Sequence, residues 1–363
     1  MLMTALTFIV VLSILVLIHE LGHFLTARAI GVEVEEFGLG LPPRIASRKI
    51  GRTLYSLNVL PIGGFVKLRG EDEAEDLKKP GSNLKAYFWA RSKKERSLIL
   101  TAGVFMNFLL AVVITTGFLI KGVRVPGGKV YIEHVVQGAP ADIAGLRVGD
   151  RIVRVEKVKN NNTKTFEMKT STELIDIVSQ SKGQSISLIV QRSGRTFTAD
   201  LIPRRDYPPD QGPTGVQITD LEFKKYPIYQ APLAAVQVNL ERAAVMFKGI
   251  GRILFDLITL RSQSADVAGP IGIARITGQA ARFGLASLLD FISILSLNLA
   301  VLNILPFPAL DGGRLLFIFV EKIFGRRVRP AFEKQTHQIG MLILLFLVLL
   351  ISINDIMRIT RGG

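Results

Sequence analysis

From Ser97 to Ile120 the chain runs for 24 residues without an ionisable side chain. About 20 apolar residues, at about 1.5 Å of rise each, cross the ~30 Å hydrocarbon core of a bilayer as a helix. Three more runs are similarly apolar: Leu2 to Ile30, Phe291 to Leu310 and Ile339 to Asn354. The last is short and needs flanking side chains that snorkel. A segment in lipid must satisfy its own backbone hydrogen bonds, so such runs dictate helices. The expected fold class is a multi-pass α-helical membrane protein with four transmembrane helices. A mean hydropathy of +0.36 agrees.

The net charge of +15 has two readings, nucleic-acid binding or a cytosolic basic excess beside anionic lipid. The basic residues crowd beside the apolar runs, so membrane lipid is the expected partner and nucleic acid is not. Arg44, Arg48, Lys49, Arg52, Lys67, Arg69, Lys78, Lys79, Lys93 and Lys94 lie between the first two spans. Arg314, Lys322, Arg326, Arg327, Arg329 and Lys334 follow the third. Both stretches belong in the cytosol by the positive-inside rule. Both termini and the segment from Lys121 to Asp290 are then outside. No Lys or Arg precedes His19, so the basic start of a cleavable signal is missing and the first span is expected to be a retained anchor. With no cysteine, disulfides and thiolate metal sites are excluded.

The first span carries His19-Glu20-Leu21-Gly22-His23. H-E-x-x-H on a helix sets two imidazoles on one face with a carboxylate beside them, the pattern of two zinc ligands and a general base. Ionisable groups inside a membrane-length helix are costly unless paired or bound, and default to a functional reading. Zinc needs a third protein ligand and one open position. Of the other two histidines, His134 reads as a surface or strand residue, while His337, at the start of the fourth span, could reach a site there but better suits snorkelling or capping.

Asp311 is the better third ligand. It ends Asn303-Ile304-Leu305-Pro306-Phe307-Pro308-Ala309-Leu310-Asp311, where two prolines break the helix at membrane depth. Broken backbone is viable there only against protein or a cavity. By helix rise, His19 and His23 lie roughly 25–30 Å in from outside and Asp311 about 30 Å from Phe291, so both motifs reach one leaflet. Asn303, two turns before Asp311, suits an oxyanion or substrate contact. Asn298 suits the same task or serves as interhelix glue.

The connecting segments read as follows. In 31–96, Thr53 to Leu60 alternates as a strand, Pro61 to Gly64 reads as a turn and Phe65 to Leu68 returns, giving a hairpin that is either membrane-associated or purely cytosolic. Its strand at Tyr55, Leu57 and Val59 is the expected place for an added substrate strand. Glu71 to Ser82 reads as a loop. The segment 121–206 reads as a β-rich domain, with a loop at Asn160 to Asn162, a helix from Thr172 to Ser179 and a hairpin around Ser193-Gly194. In 207–284 an amphipathic helix from Leu233 to Leu260 precedes a tight turn at Gly269-Pro270-Ile271-Gly272. The third span fills 285–313, a basic cytosolic loop 314–338 and the fourth span 339–357.

These motifs, in this order and in spans, resemble the site-2 protease family of intramembrane zinc metalloproteases, most closely the bacterial branch with one PDZ domain. His19-Glu20-x-x-His23 and Asn303-x-x-Pro306-x-Pro308-x-x-Asp311-Gly312 are similar to its two motifs. The resemblance implies Zn2+ held by His19, His23 and Asp311, Glu20 as the catalytic base, and Asn303 as a substrate- or oxyanion-binding residue. It also implies a membrane-associated β-loop at the hairpin. Ala141 to Ile152 resembles a bacterial PDZ domain, whose groove would lie between Val130–Val136 and the helix from Thr172. Whether that domain binds a chain end or excludes bulky substrates stays open. The implied setting is the bacterial inner membrane. The implied substrates are single-pass proteins already shortened outside, such as anti-sigma factors or remnant signal peptides. A membrane scaffold that recruits partners without catalysis is the alternative.

Overall fold

The computed structural model describes residues 2–71, 83–159, 162–208, 211–259 and 269–360. The loops expected at Glu71–Ser82 and Asn160–Asn162 fall almost wholly outside them. The chain divides into two compact units, one formed by Met1–Gly117 with Ile228–Gly363 and the other by Phe118–Pro227.

In the first unit, four of the described helices are long and apolar enough to cross a membrane. They are α1 (Leu2–Ile30), α2 (Lys93–Lys121), α7 (Leu285–Ile304) and α9 (Pro330–Thr360). The expected runs fall on them, except that the third run, Phe291 to Leu310, leaves its helix after Ile304. Helix α5 (Ala231–Ile258) matches the expected amphipathic helix.

The segment expected as a basic loop at 314–338 is mostly helical. Helix α8 (Asp311–Phe324) buries Ile318 and Glu321 on one face, and the dense charge had hidden that helical period. Gly325, in the left-handed conformation, ends α8, and Pro330 opens α9 nine residues before the expected start. The expected turn at Gly269 to Gly272 is likewise the start of a helix, α6 (Pro270–Arg282). Proline at the first helical position has no N–H to waste. The buried Asp355 carboxylate of α9 accepts the backbone N–H groups of Gly269 and Gly272.

The hairpin is larger than its alternation suggested. Strand β1 (Val34–Ile50) pairs with β2 (Thr53–Leu68), and the turn is at Gly51-Arg52. The expected turn at Pro61–Gly64 lies within β2. Residues 34–39 lie between 54–57 on one side and 64–68 on the other, while 44–50 pair with 53–58. The ribbon order is thus 64–68, 34–39, 53–58, 44–50. Phe24, Ala27, Val34, Leu68, Ile99 and Ile318 join in one buried cluster that fastens this sheet to α1, α2 and α8.

The second unit is a sheet in the order β7-β6-β4-β3-β8, with β5 paired to β4. Its strands are β3 (Val123–Val135), β4 (Arg151–Lys159), β5 (Asn162–Glu167), β6 (Ile186–Arg192), β7 (Arg195–Leu201) and β8 (Val216–Lys224). Helices α3 (Pro140–Ile143) and α4 (Ser171–Ser179) complete it. A Thr170/Glu173 capping box starts α4 one residue before the expected position. The core holds Val130, Ile132, Ile152, Val155, Leu174 and Leu188.

Two expectations change here. The domain does not end at 206, because β8 returns to pair with β3. For the same reason the groove cannot open beside Val130–Val136. There β3 is already paired with β4 and with β8. The sheet edge that faces α4 is β8, whose Asp220 accepts the Ser171 N–H. His134 lies exposed on β3, as expected.

Candidate metal centre

The H-E-x-x-H spacing is realised on α1. His19 Nε2 and His23 Nε2 lie 3.1 Å apart, and Asp311 Oδ2 lies 3.0 Å and 3.3 Å from them respectively. Both imidazoles are buried. Asp311 opens α8, directly after the proline-broken segment that follows α7.

These spacings fit zinc. Tetrahedral ligand atoms about 2.0–2.1 Å from the metal are about 3.3 Å from one another. The protein chemistry agrees. His23 Nδ1 donates to the Ile99 carbonyl oxygen at 2.8 Å, which leaves Nε2 as the ring's lone-pair donor. Asp311 Oδ2 is buried without a hydrogen-bond partner of good geometry, although two imidazole nitrogens adjoin it. Three electron-rich atoms crowded in a buried site call for a cation between them. Among the described residues this is the one group of three or more His, Cys, Asp and Glu side chains arranged to hold a metal.

A cavity of about 510 Å³ opens onto His23 and Asp311, lined also by Glu20, Phe65, Arg314 and His337 among others. Glu20 therefore faces the same space as His23 and Asp311. Gly64 of β2 lies against its Cγ. Farther along the wall, Arg314 pairs with Glu71, and the buried Arg96 pairs with the buried Glu321 at 2.5 Å.

Sequence reasoning missed two residues of α2. A Cβ at Gly103 would stand 2.4 Å from His23 Nε2, so only glycine leaves room for the trio. Asn107 is fully buried, with its amide nitrogen 3.4 Å from His19 Nδ1 and its Oδ1 unpartnered. Turning the amide over would let Oδ1 accept from Nδ1–H and leave Nε2 for a metal. The available signal was a glycine and an asparagine four apart in an otherwise apolar span. Of the two placements expected for His337, the structure gives the less favoured one. The residue turns inward, where its Nδ1 accepts the Ala309 N–H at 2.9 Å.

The remaining predicted residues stand apart from the trio. Asn298 and Asn303 are half-buried on α7, and neither is among the described residues that line the cavity. At Tyr55 and Leu57 the expected substrate edge, which was to run on to Val59, is not an edge. Tyr55 is paired with Phe37 and Arg48, and Leu57 with Leu39 and Ala46. The Tyr55 ring packs beside Phe24 and Phe37, so it supports the core.

Comparison with known proteins agrees with this geometry. A Fusobacterium nucleatum protein named a putative zinc metalloprotease is 31% identical, over 98% of this chain and 99% of its own length. The Bacillus subtilis protein named Regulator of sigma-W protease RasP is 28% identical, over 98% of this chain and 99% of its own. A solved PDZ domain of an SdrC-like protein from Listeria monocytogenes is 24% identical, covers 27% of this chain and 95% of its own, and has a TM-score of 0.21. The profile of peptidase family M50 matches residues 7–347, and the chain belongs to that family.

Proposed function

We propose that this chain is an intramembrane zinc metalloendopeptidase, hydrolysing a peptide bond within or beside the transmembrane segment of a single-pass protein. The observation that carries this reading is the convergence of His19, His23 and Asp311, with Glu20 on the same cavity wall, among helices of membrane-spanning length. Zinc held by the trio would polarise the scissile carbonyl and make a water acidic enough to lose its proton at neutral pH. Glu20 takes that proton and passes it to the leaving amine. Asn303 steadies the oxyanion or the substrate backbone once substrate fills the cavity.

A helical substrate must unwind, since its carbonyls are already hydrogen-bonded. The strand 64–68 is the edge that receives it. Its one side pairs with 34–39, no described strand covers the other, and Gly64 adjoins Glu20. The chain sits in the bacterial inner membrane with its basic stretches in the cytosol and the β-rich unit outside. That unit is a PDZ domain, whose strand β8 and helix α4 frame the groove for a chain end. Substrates are single-pass proteins pre-trimmed outside, anti-sigma factors or remnant signal peptides, in keeping with the sigma-W regulator name of the Bacillus relative.

The test is co-expression of the intact chain and of Glu20→Gln with a tagged single-pass substrate lacking its outer domain. Cleavage by the intact chain alone is expected. Equal cleavage by both, or by neither across a panel of such substrates, would contradict the reading.

A further inference from the structure

Ala309 is one of two non-glycine residues with positive φ among those described, at +82°. That conformation is costly for any residue with a Cβ, and it persists only where surrounding structure imposes it. Ala309 lies two residues before Asp311, in the short segment between α7 and α8. The direction of its backbone therefore decides where the Asp311 carboxylate arrives.

The imposing contact comes from α9. His337 Nδ1 accepts the Ala309 N–H at 2.9 Å. The ring is oriented by Phe317 of α8, with centroids 5.7 Å apart. Gly340, one turn on, brings the α9 backbone against Pro308, where a Cβ would lie 2.4 Å from the proline's own Cβ. With Nδ1 accepting, the ring carries its proton on Nε2, which is buried and has no hydrogen-bond partner among the described residues. His337 lines the cavity of the metal centre without joining the trio.

We infer that His337 is a positioning residue for the metal centre, holding the Ala309 peptide in the left-handed geometry that delivers Asp311 to His19 and His23. The last membrane helix then helps to build the site without supplying a ligand. The inference rests on the zinc reading of the trio. It assigns His337 no contact with substrate.

The experiment uses the full chain in detergent, with zinc affinity measured by competition with a chromogenic chelator and cleavage of a single-pass substrate measured alongside. His337→Leu removes the acceptor and is expected to weaken zinc binding about tenfold or more, in the range for partners that orient ligands. His337→Asn sets an amide oxygen near the Nδ1 position and should recover most of the affinity. Ala309→Gly alone should bind as the unaltered chain does. Combined with His337→Leu it should recover affinity, because glycine adopts positive φ without a clash. Zinc affinity unchanged in His337→Leu would overturn the inference. A loss that neither His337→Asn nor Ala309→Gly restores would also overturn it, since the ring would then matter only as packing. An unaltered chain that binds no zinc would overturn the metal reading and this inference together.

Discussion

His23 Nδ1 donates to the main-chain carbonyl oxygen of Ile99 at 2.8 Å, and this single bond turns the other ring nitrogen toward Asp311. A backbone carbonyl on α2 therefore orients the His23 ring on α1. The two helices must stay in close register for the site to exist.

Gly103 sits where that register is tightest. Gly103→Ala places a methyl 2.4 Å from His23 Nε2, against a ring that its bond to Ile99 holds in place. Zinc content of the purified chain is expected to fall well below one per molecule, while helix content by circular dichroism stays near that of the unaltered chain. Full zinc occupancy in this variant would contradict the geometry.

Asn107 orients His19 through its amide. Asn107→Leu removes the amide beside His19 Nδ1, and is expected to weaken zinc affinity by about 10- to 100-fold. Asn107→Asp keeps an acceptor there and should lose less. The ranking of the two variants in chelator competition is the readout, and the reverse order would sink the assignment.

The Arg96–Glu321 pair lies almost entirely out of solvent. Removing one partner strands a buried charge, so Arg96→Met should destabilise the chain by about 3–5 kcal/mol. The double variant Arg96→Met/Glu321→Met should cost less than the single one. Denaturant unfolding in detergent decides it. A double variant that is worse than the single one would mean that the pair itself, not the stranded charge, carries the stability.

Acid stability of the β-rich unit depends on Asp150. Burial would raise its carboxyl, but the Arg192 guanidinium and the Arg147 N–H outweigh that and hold it below the usual aspartate range. A carboxyl with a depressed folded value contributes stability that is fully present above its unfolded value, about 3.9, and is lost as pH falls through the folded one. Arg192→Met removes most of the depression. The acid-unfolding midpoint of the 118–227 unit should therefore move to higher pH, and an unmoved midpoint would show that Arg192 does not set it.

The strand 64–68 offers a test of substrate addition. Neighbouring N–H groups on a strand face opposite sides, so proline at Val66 and proline at Lys67 remove donors from opposite edges. One of the two should slow cleavage of a helical substrate much more than that of an unstructured peptide, with zinc retained. Equal effects on both substrates would argue against an added strand.

Much of this was legible in the chain because lipid and metal both impose strict patterns. Four long apolar runs had to be helices, and His19, Glu20 and His23 in the first lie at a depth matching Asp311 just past the third. What stayed hidden depends on pairing between distant segments. Alternation from Thr53 to Leu60 showed a strand but not that 34–39 and 44–50 flank it, so an interior strand passed for an edge. Charge density around Arg314 and Lys322 obscured the buried face of α8. Strand β8 lay beyond the apparent end of its domain because only its partner β3 explains it. The tasks of Gly103 and Asn107 come from histidines on α1, far away along the chain, and that of His337 from Ala309 in the proline-broken segment on the other side of α8.

The most direct test of the central claim is the zinc content of the purified chain beside that of Asp311→Ala, by elemental analysis after removal of loosely bound metal. Close to one zinc per unaltered chain and almost none in the variant is the predicted result. No zinc in the unaltered chain, or the same amount in both, would contradict the claim that His19, His23 and Asp311 together form the metal centre.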